Sequence, residues 1–236
     1  MTSIANNCAL THLQAVKKTI ELSCKIASRE TQSVLLLAVS KTRTASQLEQ
    51  LYNAGQCHFG ENYLQEALDK QQLLSHLPIV WHFIGPIQSN KAKAIAQNFS
   101  WVHSVDRLKV ARKLSEQRDP SLPALNICIQ VNISNETNKA GCSPQECLEL
   151  ITQISALANV KVRGLMAIPK ATTDMTEQEA AFADLQQLFN ACKEHYPHLD
   201  TLSMGMSADI EPAIKQGSTI VRIGTALFGP RDYSAK

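Results

Sequence analysis

A lysine placed where a buried strand ends is the residue in this chain best suited to covalent chemistry. Lys41 follows an apolar run at 34–39 and Ser40, a run too short for a helix that reads as a buried strand. Burial disfavours the charged amine and lowers its pKa, which makes it nucleophilic toward an aldehyde. The same position also lets the side chain snorkel from the strand end into solvent, so Lys41 alone leaves both readings open. Ser207 precedes a helix-like stretch running through Ile210, Ala213 and Ile214 to Gly217. It reads as that helix's N-cap, where a hydroxyl and free N–H groups suit an anion. Gly224-Thr225 adds backbone that a ligand can approach closely and a second hydroxyl. Arg222 is a fixed cation between them. Each feature alone fits an ordinary cap or turn. Together they offer an amine for a carbonyl, a cup for a phosphate and an arginine in between.

Those residues need a scaffold that brings distant strand ends together. Strand-like runs fall at 34–39, 57–59, 81–84, 101–105, 125–133, 162–168, 201–204 and 219–223, with helix-like stretches between them. An additional helix is expected over 4–27, on the spacing of Leu10, Leu13, Val16 and Ile20. Capping boxes are expected at Thr44–Gln47, Ser143–Glu146 and Thr176–Glu179, with Pro144 at a first helical position. Gly55 and Gly217 should end helices, and Asp106 should start one. Strands alternating with helices imply parallel pairing through crossovers. The fold class is therefore α/β, a single (β/α)8 TIM barrel over 1–236 with an extra N-terminal helix; a doubly wound open sheet is the alternative. No GxGxxG or GxxxxGK[ST] supports a nucleotide-binding version of that alternative. The irregular stretches 134–142 and 169–175 follow strands, which puts them at the C-terminal rim where barrels build their sites.

Composition narrows the function classes. Hydrophobic residues make up 44% and charged residues 19% of the chain, so a large core is expected rather than disorder. A net charge of +2 without a long basic run gives no general nucleic-acid surface. The seven cysteines include no CxxC, so they read as reduced core thiols of a cytoplasmic protein. No basic-then-apolar leader and no apolar run of membrane-spanning length is read. Sequons at Asn98, Asn132 and Asn135 carry no role. A metal-dependent hydrolase would need clustered His, Asp and Glu at strand ends, and only His82 qualifies.

One aldehyde matches the whole set, pyridoxal 5′-phosphate. Lys41 would hold it as an imine, Ser207, Gly224 and Thr225 would hold its phosphate, and Arg222 would face the pyridine nitrogen. Asn62, His82 and Ser203, at the ends of strands two, three and seven, are further candidates for contact. His82 could equally be a satisfied core histidine. Cys142 and Cys147 flank a helix start, with nothing beside them to lower a thiol pKa. Asp209 and Glu211 are expected to interact with a helix N-terminal dipole.

The segments Ala38-Val39-Ser40-Lys41-Thr42, His58-Phe59-Gly60-Glu61-Asn62, the run from Trp81 to Lys91, Gly164-Leu165-Met166, the run from Ser203 to Asp209 and the run from Val221 to Gly229 resemble the YggS/PROSC family of pyridoxal phosphate homeostasis proteins. The likeness runs from about Val34 to Gly229. It implies a barrel similar to the N-terminal domain of alanine racemase, an imine at Lys41, and a role in intracellular vitamin B6 and amino-acid homeostasis without established turnover. The family's usual lysine and proline after the Lys41-Thr42 pair are Arg43 and Thr44 here; Thr44 still serves as a cap.

A carrier that buffers pyridoxal phosphate, or delivers it to apo-enzymes, competes with an amino-acid racemase. A racemase needs proton donors on both faces of its substrate, and in alanine racemase the second comes from a further C-terminal domain. The chain ends at Lys236, shortly after Gly229, so that domain is expected to be absent. Tyr52, Tyr63 and Tyr196 fall in helices and Tyr233 in the tail. Arg222 beside the ring nitrogen disfavours its protonation and weakens the electron sink. The expectation is a carrier, monomeric as a lone barrel can be.

Overall fold

The computed structural model describes residues 2–137, 139–170, 172 and 174–230, without the side chains of residues 2–8. Helix α1 (Thr2–Ile26) leads into β1 (Leu35–Val39), α2 (Ala45–Asn53), β2 (His58–Glu61), α3 (Leu64–Leu73), β3 (Val80–Phe83), α4 (Ala92–Asn98), β4 (Trp101–Val105) and α5 (Leu108–Gln117). Then come β5 (Leu125–Gln130), α6 (Cys147–Ser155), β6 (Val160–Met166), α7 (Met175–His195), β7 (Thr201–Ser203), α8 (Ile210–Lys215), β8 (Ile220–Ile223) and α9 (Thr225–Phe228). All eight expected strands form.

The strands pair in parallel in chain order, and β8 returns to β1 through Leu35↔Ile220 to Ala38↔Ile223. That closure excludes the open doubly wound sheet and leaves no unpaired edge. Core packing lies mainly between the strands and the helical ring, where Phe59, Phe83, Leu114, Ile127 and Phe182 are almost wholly buried. At the start of the β4–β6 strands, the barrel is plugged by Arg163. Its guanidinium pairs with Asp200 at 2.6 Å, donates to Asn126 at 2.8 Å and lies 4.8 Å from the Trp101 ring.

Helix α1 buries Leu13, Val16, Ile20 and Cys24 against α8, α9 and α2, whereas Leu10, expected on that stripe, is exposed. Beyond its end, Arg29 Nη1 donates to Ile214 O and Ser218 O, both at 2.8 Å. The N-terminal segment therefore staples the β8–β1 seam from outside.

The caps differ in part from expectation. Thr44 and Gln47 form the reciprocal box that starts α2. Ser143 and Glu146 exchange the same bonds, but they close a turn and α6 begins at Cys147, so Pro144 lies before the helix. Helix α7 is capped by Asp174, which accepts from Thr176 N at 2.8 Å, rather than by Thr176. Asp106 does not cap α5; it pairs with Arg107 at 2.7 Å. Gly55 and Gly217 follow the C-caps of α2 and α8, as expected. Among the described cysteines, six are free thiols: five are buried and Cys57 is exposed; Cys8 lies outside the described side chains. Among the described residues, no helix is long and apolar enough to cross a membrane.

Candidate functional site

The end of β1 is held by a buried ionic cluster that fixes the backbone on both sides of Lys41. Lys70, on α3 and only 4% exposed, donates from Nζ to Ser40 O at 2.7 Å, Glu61 Oε1 at 2.7 Å and Glu66 Oε1 at 2.6 Å. Ser40 Oγ donates to Glu61 Oε1 at 2.6 Å, and Thr42 N donates to Glu66 Oε1 at 2.5 Å. Thr42 has φ = 62°, the left-handed region that non-glycine residues rarely occupy, and the Glu66 bond holds it there. Burial pushes the Glu61 carboxyl up from its ordinary value, against the opposing pull of Lys70 and Ser40. Glu61 is legible as the end of β2, but nothing local marks Lys70 and Glu66 as its partners. Charges on a helix face read as solvated, and only the packing of α3 under β1 and β2 shows otherwise.

Lys41 itself is half-buried and lines a cleft of about 280 Å³ at the C-terminal mouth. The cleft brings together six of the eight expected residues, namely Lys41, Asn62, Ser207, Arg222, Gly224 and Thr225, with apolar walls from Val39, Ile84, Met166 and Met206. Asn62 lines the cleft, and its Oδ1 is buried with no hydrogen-bond partner among the described residues. Arg222 is 5% exposed; it donates from Nη1 to Ser203 O at 2.6 Å and Ser203 Oγ at 2.9 Å, and from Nη2 to Ala167 O at 2.9 Å. Burial lowers its pKa to about 10, with Asp209 opposing, which leaves it cationic at neutral pH. Arg43 also lines the cleft and ties β1 to α9, donating to Phe228 O at 3.2 Å and Gly229 O at 2.5 Å.

One expectation about the anion end changes. Ser207 is not the N-cap of α8. That position belongs to Asp209, whose Oδ1 accepts from Met206 N and closes the turn that carries Ser207 and Ala208 into the cleft. Asp209 thus closes a turn from the N-cap of α8, and Glu211 lies in that helix's first turn, so both carboxylates sit at its N-terminal end. Gly205 permits this turn, since a Cβ there would lie 2.6 Å from Ala213 Cβ. Opposite it, Gly224 occupies the N-cap of α9, so Thr225 and Ala226 present first-turn N–H groups that have no partner within the helix.

His82 and Ser203 do not line the cleft, which corrects the expectation of direct contact. Both are fully buried. His82 points into the barrel because its register against Gly60 and Trp101 turns it to the inner face. It stacks on Trp101 at 10° and bonds to two other histidines: His58 Nδ1 lies 3.0 Å from His82 Nε2, and His82 Nδ1 lies 2.9 Å from His103 Nε2. His103 Nδ1 lies 2.9 Å from Ser203 Oγ. Burial lowers the pKa of all three histidines. His103 falls to about 3, with the Arg222 charge as the second cause. Cys147, hydrogen-bonded to Cys142 and Cys192, has its pKa raised.

An eight-stranded barrel with a clamped lysine ending β1 and a cleft closed by the turns after β7 and β8 defines the class. A sequence profile described as "Alanine racemase, N-terminal domain" matches residues 11–232. The chain is 53% identical over 235 residues to the pyridoxal phosphate homeostasis protein of Pseudomonas aeruginosa, covering 100% of this chain and 99% of that one. It is 45% identical to the protein of the same name in Escherichia coli strain K12, covering 100% of both. The structure of PipY from Synechococcus elongatus with PLP bound superposes with a TM-score of 0.77 at 38% identity, over 89% of this chain and 99% of PipY. Alanine racemase from Corynebacterium glutamicum shares the fold, with a TM-score of 0.65 at 16% identity over 95% of this chain and 63% of the racemase. The chain belongs to the pyridoxal phosphate homeostasis protein family.

Proposed function

We propose that this protein binds pyridoxal 5′-phosphate at the C-terminal mouth of a single barrel domain, with Lys41 as the covalent attachment point, and buffers or delivers the cofactor without efficient turnover. The observation that carries this reading is the convergence of Lys41, Asn62, Arg222, Ser207 and Thr225 on one small cleft. Its support from outside the chain is the relative PipY, solved with PLP bound.

When bound, pyridoxal phosphate supplies an aldehyde to the lysine amine and a phosphate to be anchored. Lys41 Nζ is the nucleophile, and the Lys70 cluster sets the direction from which it approaches. The Ser207 and Thr225 hydroxyls, with the N–H groups opening α9, bind the phosphate. Arg222 faces the ring nitrogen. Because Arg222 keeps its proton and can only donate, it holds that nitrogen as an acceptor and disfavours its protonation.

A racemase-like enzyme is the competing reading. Against it, the cleft lining among the described residues includes no tyrosine, histidine, cysteine or carboxylate to act as a second acid–base group opposite Lys41. Arg222 argues in the same direction. Six free thiols support a reducing cytoplasmic compartment. Apo-enzymes that need the cofactor are the proposed recipients, and a monomer is the proposed state.

Borohydride reduction of the loaded protein followed by peptide mapping tests the attachment. The label is expected on Lys41, and the visible band is expected to vanish in Lys41→Ala while the far-ultraviolet circular dichroism is retained. Label on Lys91, Lys139 or Lys170 would overturn the assignment.

A further inference from the structure

Two buried histidines, His82 and His103, and the half-buried His58 form a single hydrogen-bonded column inside the barrel, and its polarity can be assigned. The column runs from His58, which borders a separate cavity with Lys17, Glu21 and Gln56 at the start of the strands. It passes through His82, His103 and Ser203 to Arg222 at the cofactor cleft. Arg222 has only donors to offer. It donates to Ser203 Oγ, whose described hydrogen bonds run to Arg222 and His103 alone. Ser203 has one proton and is fully buried. That proton is satisfied only by donation to His103 Nδ1, because an unpaired buried hydroxyl is costly.

The rest follows by elimination. His103 neutral with Nδ1 accepting carries its proton on Nε2 and donates to His82 Nδ1. His82 in turn carries its proton on Nε2 and donates to His58 Nδ1. Lowered histidine pKa values agree with a neutral column, since a charged imidazole would need both ring nitrogens as donors. Every hydrogen bond then points the same way, from the cofactor cleft toward the opposite mouth.

We propose that Ser203, His103 and His82 are positioning residues that lock the Arg222 guanidinium toward the ring nitrogen of the cofactor, and that Arg222 in return fixes the Nε2–H tautomer of all three histidines. The Arg222 part rests on the cofactor reading above; the tautomer part does not. Nη1 is held by the Ser203 carbonyl and hydroxyl together, and Ser203 can accept from Arg222 only while the column beneath takes its proton. Loss of that acceptor frees Ser203 Oγ to turn, and Arg222 loses one of its three bonds.

Long-range proton–nitrogen correlation spectra of cofactor-free, 15N-histidine-labelled protein test the polarity. His58, His82 and His103 are expected as neutral Nε2–H tautomers at pH 7.5, with His82 and His103 still neutral at pH 5.5. An Nδ1–H tautomer or an imidazolium at His82 or His103 would overturn the proposal. Ser203→Ala should release His103 into a tautomer mixture, and Ser203→Thr should restore the single form; an unchanged His103 in Ser203→Ala would show that Arg222 does not set the polarity. The positioning part is read with pyridoxal phosphate and its 1-deaza analogue, in which carbon replaces the ring nitrogen. Ser203→Ala should weaken the natural cofactor about tenfold, the effect of one lost charged hydrogen bond, and leave the deaza analogue within about twofold. Equal loss for both would refute positioning through the ring nitrogen. Binding of neither ligand by the unaltered protein would instead refute the cofactor reading and leave the tautomer result standing.

Discussion

Replacing Lys70 by methionine removes the cation that pairs with both Glu61 and Glu66 in a buried cluster beside Lys41. Glu61 is fully buried, its Oε1 accepts from Lys70 and Ser40, and its Oε2 has no hydrogen-bond partner among the described residues. Methionine matches the stem but leaves the Glu61 charge uncompensated, and breaking such a pair costs about 3–5 kcal/mol. For a chain of this size that corresponds to a fall in Tm of roughly 6–20 °C. The cost should depend on pH. Glu61 already has a raised pKa, and loss of the Lys70 contribution raises it further. A raised carboxyl binds a proton more readily folded than unfolded, so its cost is relieved at low pH and felt in full above the folded pKa. The gap between Lys70→Met and the unaltered protein should therefore be smaller at pH 5.5 than at pH 8. Urea denaturation at both pH values measures it. The double variant Glu61→Gln with Lys70→Met should be milder than Lys70→Met alone, because no buried charge is then orphaned. Cofactor loading should fall in Lys70→Met, since the Ser40 carbonyl and the Glu66 grip on Thr42 are both loosened. A loss below about 1 kcal/mol, or a gap that widens toward acid pH, would refute the reasoning.

Other expectations test different parts of the site. Ser207→Ala with Thr225→Ala should weaken pyridoxal phosphate binding about tenfold or more per hydroxyl and spare pyridoxal, as measured by fluorescence titration; equal loss would place the phosphate elsewhere. Loaded protein mixed with L- or D-amino acids should show no Cα proton exchange above free cofactor when followed by NMR in deuterated water, and fast exchange that disappears in Lys41→Ala would revive the racemase reading. Arg222→Glu should raise whatever weak exchange exists if the cofactor still binds, because it favours a protonated ring; a fall would contradict the role given to Arg222. His103 titrates at about 3 when folded but at its ordinary 6.5 when unfolded, so stability should decline as pH falls below about 6.5. A urea midpoint that rises between pH 7 and pH 5 would count against a neutral buried His103.

Much of this architecture is written locally in the chain. Each strand announces itself because a strand buried on both faces must be a short apolar run, and each crossover helix because one face meets the sheet. Eight such runs formed the expected strands, and the box at Thr44 formed as its residue types require. The position of Lys41 at the end of β1 was likewise legible, because a strand end is a local property. Which groups face one another was decided only by closure. His103 and Ser203 lie 100 positions apart, and they meet because β4 and β7 point residues of matching height into one lumen. His82 reads as a strand-end candidate until the register against Gly60 and Trp101 turns it inward, away from the cleft. Ser207 reads as a cap until Asp209 takes that place by bonding back to Met206 N. Nothing local in the sequence marks Lys70 as buried; only the packing of α3 beneath Ser40 does. In each case local periodicity specifies which face of an element is buried. The partner on that face depends on strand register and barrel closure, which are properties of the whole chain and leave no mark on any single segment.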